Sequence, residues 1–328
     1  MSAALLEVRD LVKHYDSDGG WWSRLTRRER RTVRAVNGVS LSIAAGETVG
    51  LIGESGCGKT TFGRTILRLH EPTSGSVWFD GVDLAKLTGE ALKAMRRRMQ
   101  IVFQDPYASL NPRKTVEQIV GLPLKLHGLA AGTALRDRVV EAVESVGLRA
   151  SHLARFPHQF SGGQRQRIGI ARALILGPAL VVCDEPVSAL DVSIQAQIIK
   201  LLEDLKRERG LTYLFISHDI SVIGYVSNRV AVMYLGEIVE IGPVREVLER
   251  PKHPYTEALI SAVPRVDAPG GRGRIRLAGD LPSPLDPPPG CTFHTRCPHA
   301  MDVCRRTAPK ETTLGAGHVV RCHLYETP

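Results

Sequence analysis

A chain of 328 residues with 43% hydrophobic content is long enough for two domains, or for one large domain with an appendage, and apolar enough to fill real cores, which excludes a disordered protein. Its 43 Lys+Arg against 34 Asp+Glu give a net charge of +9, a balance that suits nucleic acid, an anionic membrane surface or a polyphosphate ligand without choosing among them. No run approaches the roughly 18 consecutive apolar residues of a membrane-spanning helix, and the opening MSAALLEVRD lacks a basic segment followed by an apolar one, so the expected location is cytosolic, or peripheral on a cytosolic membrane face.

From about Leu5 to Ile241, short apolar runs alternate with helical stretches, the pattern of an α/β domain around a largely parallel, buried sheet. Asp16 to Arg31 interrupts the early strands with GGWW and five arginines; this reads as a solvated loop, and Trp21 and Trp22 beside the arginines raise contact with a headgroup layer or a partner subunit as the alternative. The runs at Thr48–Ile52, Gln100–Phe103, Leu180–Cys183, Thr212–Ile216 and Arg229–Tyr234 predict strands. Between Glu90 and Pro157 the strand signal thins, and Val139, Val140, Val143 and Val146 recur at helical spacing, predicting a mostly helical insert. After Ile241 proline density rises, at Pro251, Pro254, Pro264 and Pro269 and then in LPSPLDPPPG, which predicts a loop-rich C-terminal module. No internal repeat is visible.

Gly53-Glu54-Ser55-Gly56-Cys57-Gly58-Lys59-Thr60 fits G-x-x-x-x-G-K-[ST] between the strand TVGLIG and a helix beginning near Thr60, with Thr61 next in the helix. Glycines let the backbone curl until successive N–H groups point inward, and the helix N-terminus adds positive potential. In such a loop Lys59 reaches the β- and γ-phosphates and Thr60 ligates Mg²⁺, so the segment binds a nucleoside triphosphate. Cys57 reads as a small filler rather than a reactive thiol. Leu180 to Glu185 is a buried strand ending in two carboxylates, at the edge where α/β sheets present ligands: Asp184 for Mg²⁺ and Glu185 to polarise an attacking water. Taken alone, the pair would read as solvated acids at a strand end. Ser161-Gly162-Gly163-Gln164 opens the helical run RQRIGIARAL, a second anion-ready helix N-terminus. One ATP does not need two such sites from one chain, which points to a loop that closes over nucleotide bound by a partner subunit. Ser217-His218-Asp219 imitates a hydrolytic triad, but three adjacent residues do not readily converge.

The phosphate loop, Gln104 in VFQDP, SGGQ at Ser161 to Gln164, VVCDEP, SALD at Ser188, Ala189, Leu190 and Asp191, and His218 in ISHD occur in this order. Together they resemble the nucleotide-binding subunit of ABC transporters, over essentially the whole chain. The resemblance implies a phosphate-loop NTPase core of RecA-like type with an antiparallel β subdomain, a helical insert at about 90–160 and a signature helix from 161, spanning residues 1–245, then a C-terminal extension over 246–328. It implies that Gln104 contacts Mg²⁺ and the attacking water, that Asp191 in the Ser188–Asp191 loop supports the dimer interface, that His218 contacts the γ-phosphate and that Tyr15 stacks on adenine. It further implies two membrane-spanning permease subunits beneath which two ATPases clamp two ATP molecules, with the segment from Gln104 to Pro157 as the coupling surface.

HPYTEALISAVP from His253 to Pro264, LPSP at Leu281 to Pro284 and PPPGCTFHTRCP to Pro298 resemble the C-terminal extension of oligopeptide and dipeptide importer ATPases. That resemblance implies peptide import, a paralogous second ATPase, an extracytoplasmic substrate-binding protein, and no nucleic acid partner. Nickel or glutathione remains an alternative cargo within this tail type. The other classes weighed are an ABC ATPase acting on DNA or ribosomes, which usually shows a second cassette, a long coiled coil or inserted zinc modules, and a non-hydrolysing regulatory subunit, opposed by intact Lys59, Glu185 and His218. Of six cysteines, Cys291, Cys297, Cys304 and Cys322 crowd into the last 38 residues as C-x5-C-x6-C-x17-C, more a metal site than a disulfide framework in a reducing compartment. Four thiolates suit tetrahedral zinc or a [4Fe–4S] cluster. The Cys297-Pro298 step and the resemblance to cluster-bearing importer tails favour [4Fe–4S], with zinc next and unliganded thiols last. His294, His299, His318 and His323 are expected to be solvated rather than ligands.

Overall fold

The computed structural model describes residues 4–16, 32–263, 275, 277, 279–315 and 317–326, so Trp21, Trp22 and the neighbouring arginines, like Pro264 and Pro269, lie outside the described residues. In chain order the elements are β1 (Ala4–Asp16), β2 (Thr32–Ala44), β3 (Thr48–Ile52), α1 (Lys59–Ile66), β4 (Ser74–Phe79), β5 (Val82–Asp83), α2 (Gly89–Arg98), β6 (Met99–Val102), α3 (Val116–Leu126) and α4 (Gly132–Ser145). They continue with α5 (Gly162–Leu174), β7 (Leu180–Asp184), α6 (Val192–Arg209), β8 (Thr212–Ile216), α7 (Ile220–Val226), β9 (Arg229–Tyr234), β10 (Glu237–Pro243), α8 (Val244–Glu249), α9 (Pro254–Ser261), α10 (Asp302–Arg306), β11 (Glu311–Gly315) and β12 (His318–Arg321). Among the described residues no helix is long and apolar enough to cross a membrane.

Two compact units emerge: one of Met1–Ala4, Ile43–Thr48 and Lys86–Ser217, the other of Leu5–Ser42, Val49–Ala85 and His218–Pro328. In the first, β6, β7 and β8 run parallel, with Met99 opposite Leu180 and Leu180 opposite Thr212. Every residue of β7 and β8 is buried, which is why LVVCD and TYLFI read as unbroken apolar runs rather than alternating ones. Helices α3, α4 and α5 pack on one another. Leu135, Val139, Ala142 and Val143 form the buried stripe of α4, and the helical insert predicted from valine spacing is present.

In the second unit β2-β1-β4-β5 form a four-stranded sheet in which β4 pairs antiparallel with both β1 and β5. Leu6, Val8 and Leu11 of β1, Val36, Val39 and Leu41 of β2 and Val77 and Phe79 of β4 are buried, while the residues between them are half-buried or exposed. The phosphate-loop strand β3 pairs parallel with β9, and β10, β12 and β11 extend that sheet antiparallel. The C-terminal extension is therefore more than loops. Its hairpin β11–β12 is laid onto β10 with Glu240 opposite Val320 and Ile241 opposite Val319, and the Arg34 N–H of β2 donates to the Pro284 carbonyl of the LPSP segment at 3.0 Å.

Glu240, 1% exposed, holds this arrangement together. Its carboxylate accepts the Lys252 N–H at 2.8 Å and the His253 N–H at 2.9 Å, and His318 Nε2 stands 2.8 Å from it. The expectation of solvated tail histidines fails at two positions. His318 is 4% exposed against Glu240, and the His323 ring is caught between Glu326 and the Thr307 carbonyl, 2.7 and 2.8 Å away. Both are drawn in by β-hairpin geometry that the sequence pattern does not advertise.

His253 is fully buried, its Nδ1 accepting the Tyr255 N–H at 3.1 Å as the N-cap of α9, and burial pushes its pKa down to about 4. The folded protein holds the ring neutral, so the stability this provides is complete above the unfolded pKa near 6.5 and is lost as pH falls toward 4. In chemical denaturation, moving from pH 7 to pH 4.5 is expected to cost the wild-type protein about 2–3 kcal/mol more than His253→Gln, which keeps an acceptor but cannot titrate.

Candidate ATP site and cysteine cluster

The second unit carries the phosphate loop. Between buried β3 and α1 the chain turns through Gly53, Gly56 and Gly58 at φ of +153°, +81° and +109°. At two of these no side chain fits: a Cβ on Gly58 would lie 2.0 Å from the Ala35 carbonyl oxygen, and one on Gly53 2.2 Å from that of Met233. Lys59 is 5% exposed, and its Nζ donates to the carbonyls of Gly53 at 2.8 Å and Glu54 at 2.9 Å, so the ammonium is folded over the loop. Cys57 is buried beneath it, and burial pushes its thiol up from the ordinary value, as suits a filler. The loop is fastened from outside by Gly236, whose N–H donates to the Cys57 carbonyl at 2.8 Å.

Two groups from the C-terminal extension reach this loop. Tyr255 Oη accepts the Glu54 N–H at 2.8 Å, and Arg296 grips the Glu54 carboxylate with two parallel bonds of 2.8 and 3.1 Å. Arg296 lies between Cys291 and Cys297. Nothing in the loop motif announces these ties.

Tyr15, at the end of β1, packs edge-on to His70 at 5.8 Å and lies under Lys13 Nζ at 4.7 Å. Asp219 caps α7, its carboxylate accepting the N–H groups of Ser221 and Val222 at 2.8 and 3.3 Å, and this capping role accounts for the SHD sequence without a triad.

The first unit carries the acids and the signature. Asp184 closes β7 at 1% exposure. The next residue, Glu185, adopts the left-handed conformation at φ +48°, a strained backbone for a residue with a side chain, and its carboxylate accepts Gln104 Nε2 at 2.8 Å. These two residues are 81 apart in sequence and are brought together by the parallel pairing of β6 and β7. Helix α5 secures the segment after β6. Gln166 Nε2 donates to the Phe103 carbonyl at 3.4 Å, and Arg165 lies 3.9 Å from the Tyr107 ring centre. Ser161 N-caps α5 in a reciprocal box with Gln164: Ser161 Oγ accepts the Gln164 N–H at 3.4 Å, and Gln164 Oε1 the Ser161 N–H at 3.1 Å. Gly162 and Gly163 lie against the Ser188–Asp191 loop and α6, where a Cβ would come within 3.3 Å of Leu190 Cδ2 and 2.5 Å of Ile194 Cγ2.

Within the first unit Gln104 and Asp184 carry amide and carboxylate oxygens, hard donors of the kind Mg²⁺ takes, and in the second unit Thr60 carries a hydroxyl of the same kind. The cysteines form a different set. Cys291, Cys304 and Cys322 are buried and Cys297 is half-buried. Burial pushes the Cys291 and Cys322 thiols up to about 11 and raises Cys297 as well, and the neighbouring sulfurs act on one another in the same direction. Each sulfur accepts a backbone N–H, from Phe293 for Cys291, His299 for Cys297, Leu324 for Cys322 and Met301 for Cys304, and such bonds favour thiolate. Among the described residues no three His, Cys, Asp or Glu side chains stand close enough to hold one metal ion.

The ABC transporter family matches residues 36–188, and the oligopeptide/dipeptide transporter C-terminal region matches residues 239–304. The oligopeptide transport ATP-binding protein AppF of Bacillus subtilis is 51% identical over 324 residues, covering 98% of this chain and 97% of its own. The chain belongs to the ABC transporter ATP-binding proteins. Within that family it is also 50% identical, over 97% of both chains, to a Brucella ovis protein named as a peptide import ATP-binding protein. Among solved structures, the dimeric ATP-binding cassette MJ0796 bound to ADP and Pi aligns with a TM-score of 0.64 at 31% identity, covering 73% of this chain and 99% of that one. The chain is accordingly an ABC-type ATPase that uses ATP and Mg²⁺, with the α/β phosphate-loop fold that its motifs imply.

Ala at position 163 forces Ile194 to move. Gly163→Ala is expected to lower stability by about 1–3 kcal/mol, and the double variant Gly163→Ala/Ile194→Ala to lose clearly less than the two single losses combined, as measured by thermal and denaturant unfolding.

Proposed function

We propose that this chain is the ATP-hydrolysing subunit of an importer for oligopeptides or dipeptides. The observation that carries the peptide assignment is the C-terminal region after β10, which matches the oligopeptide/dipeptide transporter region and continues the near full-length identity to proteins named for peptide transport. The catalytic assignment is supported by the intact loop around Lys59 and by Glu185.

In this reading residues 1–245 are the nucleotide-binding domain and 246–328 the importer-specific extension. Gly53 to Thr61 bind the triphosphate, Tyr15 stacks on adenine, and Thr60, Gln104 and Asp184 provide the Mg²⁺ ligands. Glu185 polarises the attacking water, Gln104 orients it, and His218 contacts the γ-phosphate. Ser161, Gly162, Gly163 and Gln164 act on the nucleotide of a second ATPase subunit, a paralogue, with Ser188 to Asp191 at the shared interface. The Gln104 Nε2 contact holds the Glu185 carboxylate, and the Gly162–Gly163 surface against Leu190 couples signature and interface loop.

The closed dimer is the state that ATP binds best, so binding shifts the equilibrium toward closure and hydrolysis returns it. Two permease subunits and an extracytoplasmic substrate-binding protein complete the complex, which places the chain at the cytoplasmic face of the membrane. Cys291, Cys297, Cys304 and Cys322 hold a [4Fe–4S] cluster, a group that takes each thiolate on its own iron, and the N–H···S bonds to these sulfurs support the reading.

Glu185→Gln is expected to retain ATP binding, accumulate a closed dimer by size-exclusion chromatography and lose at least 100-fold in turnover, whereas Lys59→Ala weakens ATP binding itself. Unaltered hydrolysis by Glu185→Gln in the assembled transporter removes that residue from the catalytic role. Anaerobically purified protein is expected to contain iron and acid-labile sulfide in equal amounts with visible absorbance; zinc without colour overturns the cluster.

A further inference from the structure

An ionised carboxylate one step into a phosphate-binding loop works against the ligand, because it opposes the charge of the triphosphate within a few ångströms. Glu54 is such a residue. The structure offsets it from the C-terminal extension: Arg296 covers both carboxylate oxygens at 2.8 and 3.1 Å, its own side chain 9% exposed against 28% for Glu54. The same residue is held by its backbone, with its N–H given to Tyr255 Oη at 2.8 Å and its carbonyl taken by Lys59 Nζ at 2.9 Å.

The groups that reach in are themselves fixed. Tyr234, Tyr255 and Phe293 form an aromatic wall with ring centres 4.7, 5.2 and 5.5 Å apart, and His253 packs on Phe293 at 5.5 Å. Phe293 and Arg296 belong to one short turn, with the Arg296 N–H donating to the Phe293 carbonyl at 3.0 Å and the His294 N–H to that of Cys291 at 3.0 Å. The turn that presents Arg296 to the loop is thus the turn that carries Cys291 and Cys297.

We propose that Arg296 is a positioning residue for nucleotide binding: it neutralises Glu54 and clamps the start of the phosphate loop, so that the cysteine-bearing extension of this chain sets the affinity of its own ATP site. The inference rests on the reading of Gly53 to Thr60 as the ATP site and deepens it. The extension is then a working part of the nucleotide pocket, and a disturbance of the Cys291–Cys297 turn is felt there as weaker ATP binding.

The test is titration of the full chain with a fluorescent ATP analogue and with MgATP, at low and at high ionic strength. Arg296→Gln is expected to raise the dissociation constant roughly tenfold at low salt, because the Glu54 charge is then exposed to the phosphates. Added salt should narrow that gap by screening the charge. Arg296→Lys, which keeps the charge but not the two-pronged grip, is expected to fall between wild type and Arg296→Gln. Glu54→Gln/Arg296→Gln should return to within about threefold of wild type, since the offending charge is gone. A structural defect would give neither the salt response nor this rescue.

Wild-type affinity in Arg296→Gln overturns the inference, as does a double variant no better than Arg296→Gln. Should Arg296→Gln not fold, Glu54→Gln alone decides: with Arg296 left unopposed, tighter binding than wild type at low salt that fades at high salt supports the inference, and affinity equal to or weaker than wild type at low salt overturns it. If the wild-type chain binds no ATP while folded, the ATP-site reading itself fails, a result distinct from any of these.

Discussion

One buried carboxylate carries much of the second unit. Glu240 sits in β10 with three donors on it: two backbone N–H groups that open the segment leading into α9, and the ring of His318 from β12. An ion so deeply placed is tolerable only while every partner stays, because the desolvation penalty is met by the set and not by any one bond. The arrangement fixes where α9 begins, and so where Tyr255 stands; it fixes β12 against β10, and so where Cys322 stands. Tyr255 and the cysteine turn then meet the phosphate loop. The phosphate loop is thus held in part by a polar knot well away from its own motif.

The glycines of the loop show the complementary constraint. Gly53 and Gly58 are required by neighbours, the carbonyls of Met233 and Ala35, which come so near that only a hydrogen fits. The loop is shaped from outside as much as by its own sequence.

Much of this was legible in the sequence because its causes are local. The runs Thr48–Ile52, Thr212–Ile216 and Arg229–Tyr234 coincide with β3, β8 and β9, since strands buried on both faces must be apolar throughout. Prediction of β6 is displaced by one residue, and β7 reaches one residue further, to Asp184. The spacing of Val139, Val140, Val143 and Val146 announced α4, and all of these but the half-buried Val140 are buried. What the sequence did not announce depends on distance or on weak patterns. Glu54 and Arg296 are 242 residues apart, and no local signal marks a carboxylate that will need a guanidinium. The hairpin β11–β12 has only five and four residues, with mostly exposed side chains in β11, too short and too polar for its alternation to stand out. Once that hairpin is missed, His318 and His323 read as solvated, although β12 buries His318 against Glu240 and the turn after it sets His323 between Glu326 and Thr307.

The same hairpin has a consequence for the solubility of the chain. Without it, β10 would present an open edge carrying Ile238, Val239 and Ile241, an adhesive row of backbone groups beside apolar side chains. β12 occupies that edge, and the outermost position passes to β11, whose Glu311, Thr313 and Gly315 are exposed and poor templates for another strand. The extension thereby covers an edge that would otherwise invite another strand to pair with it.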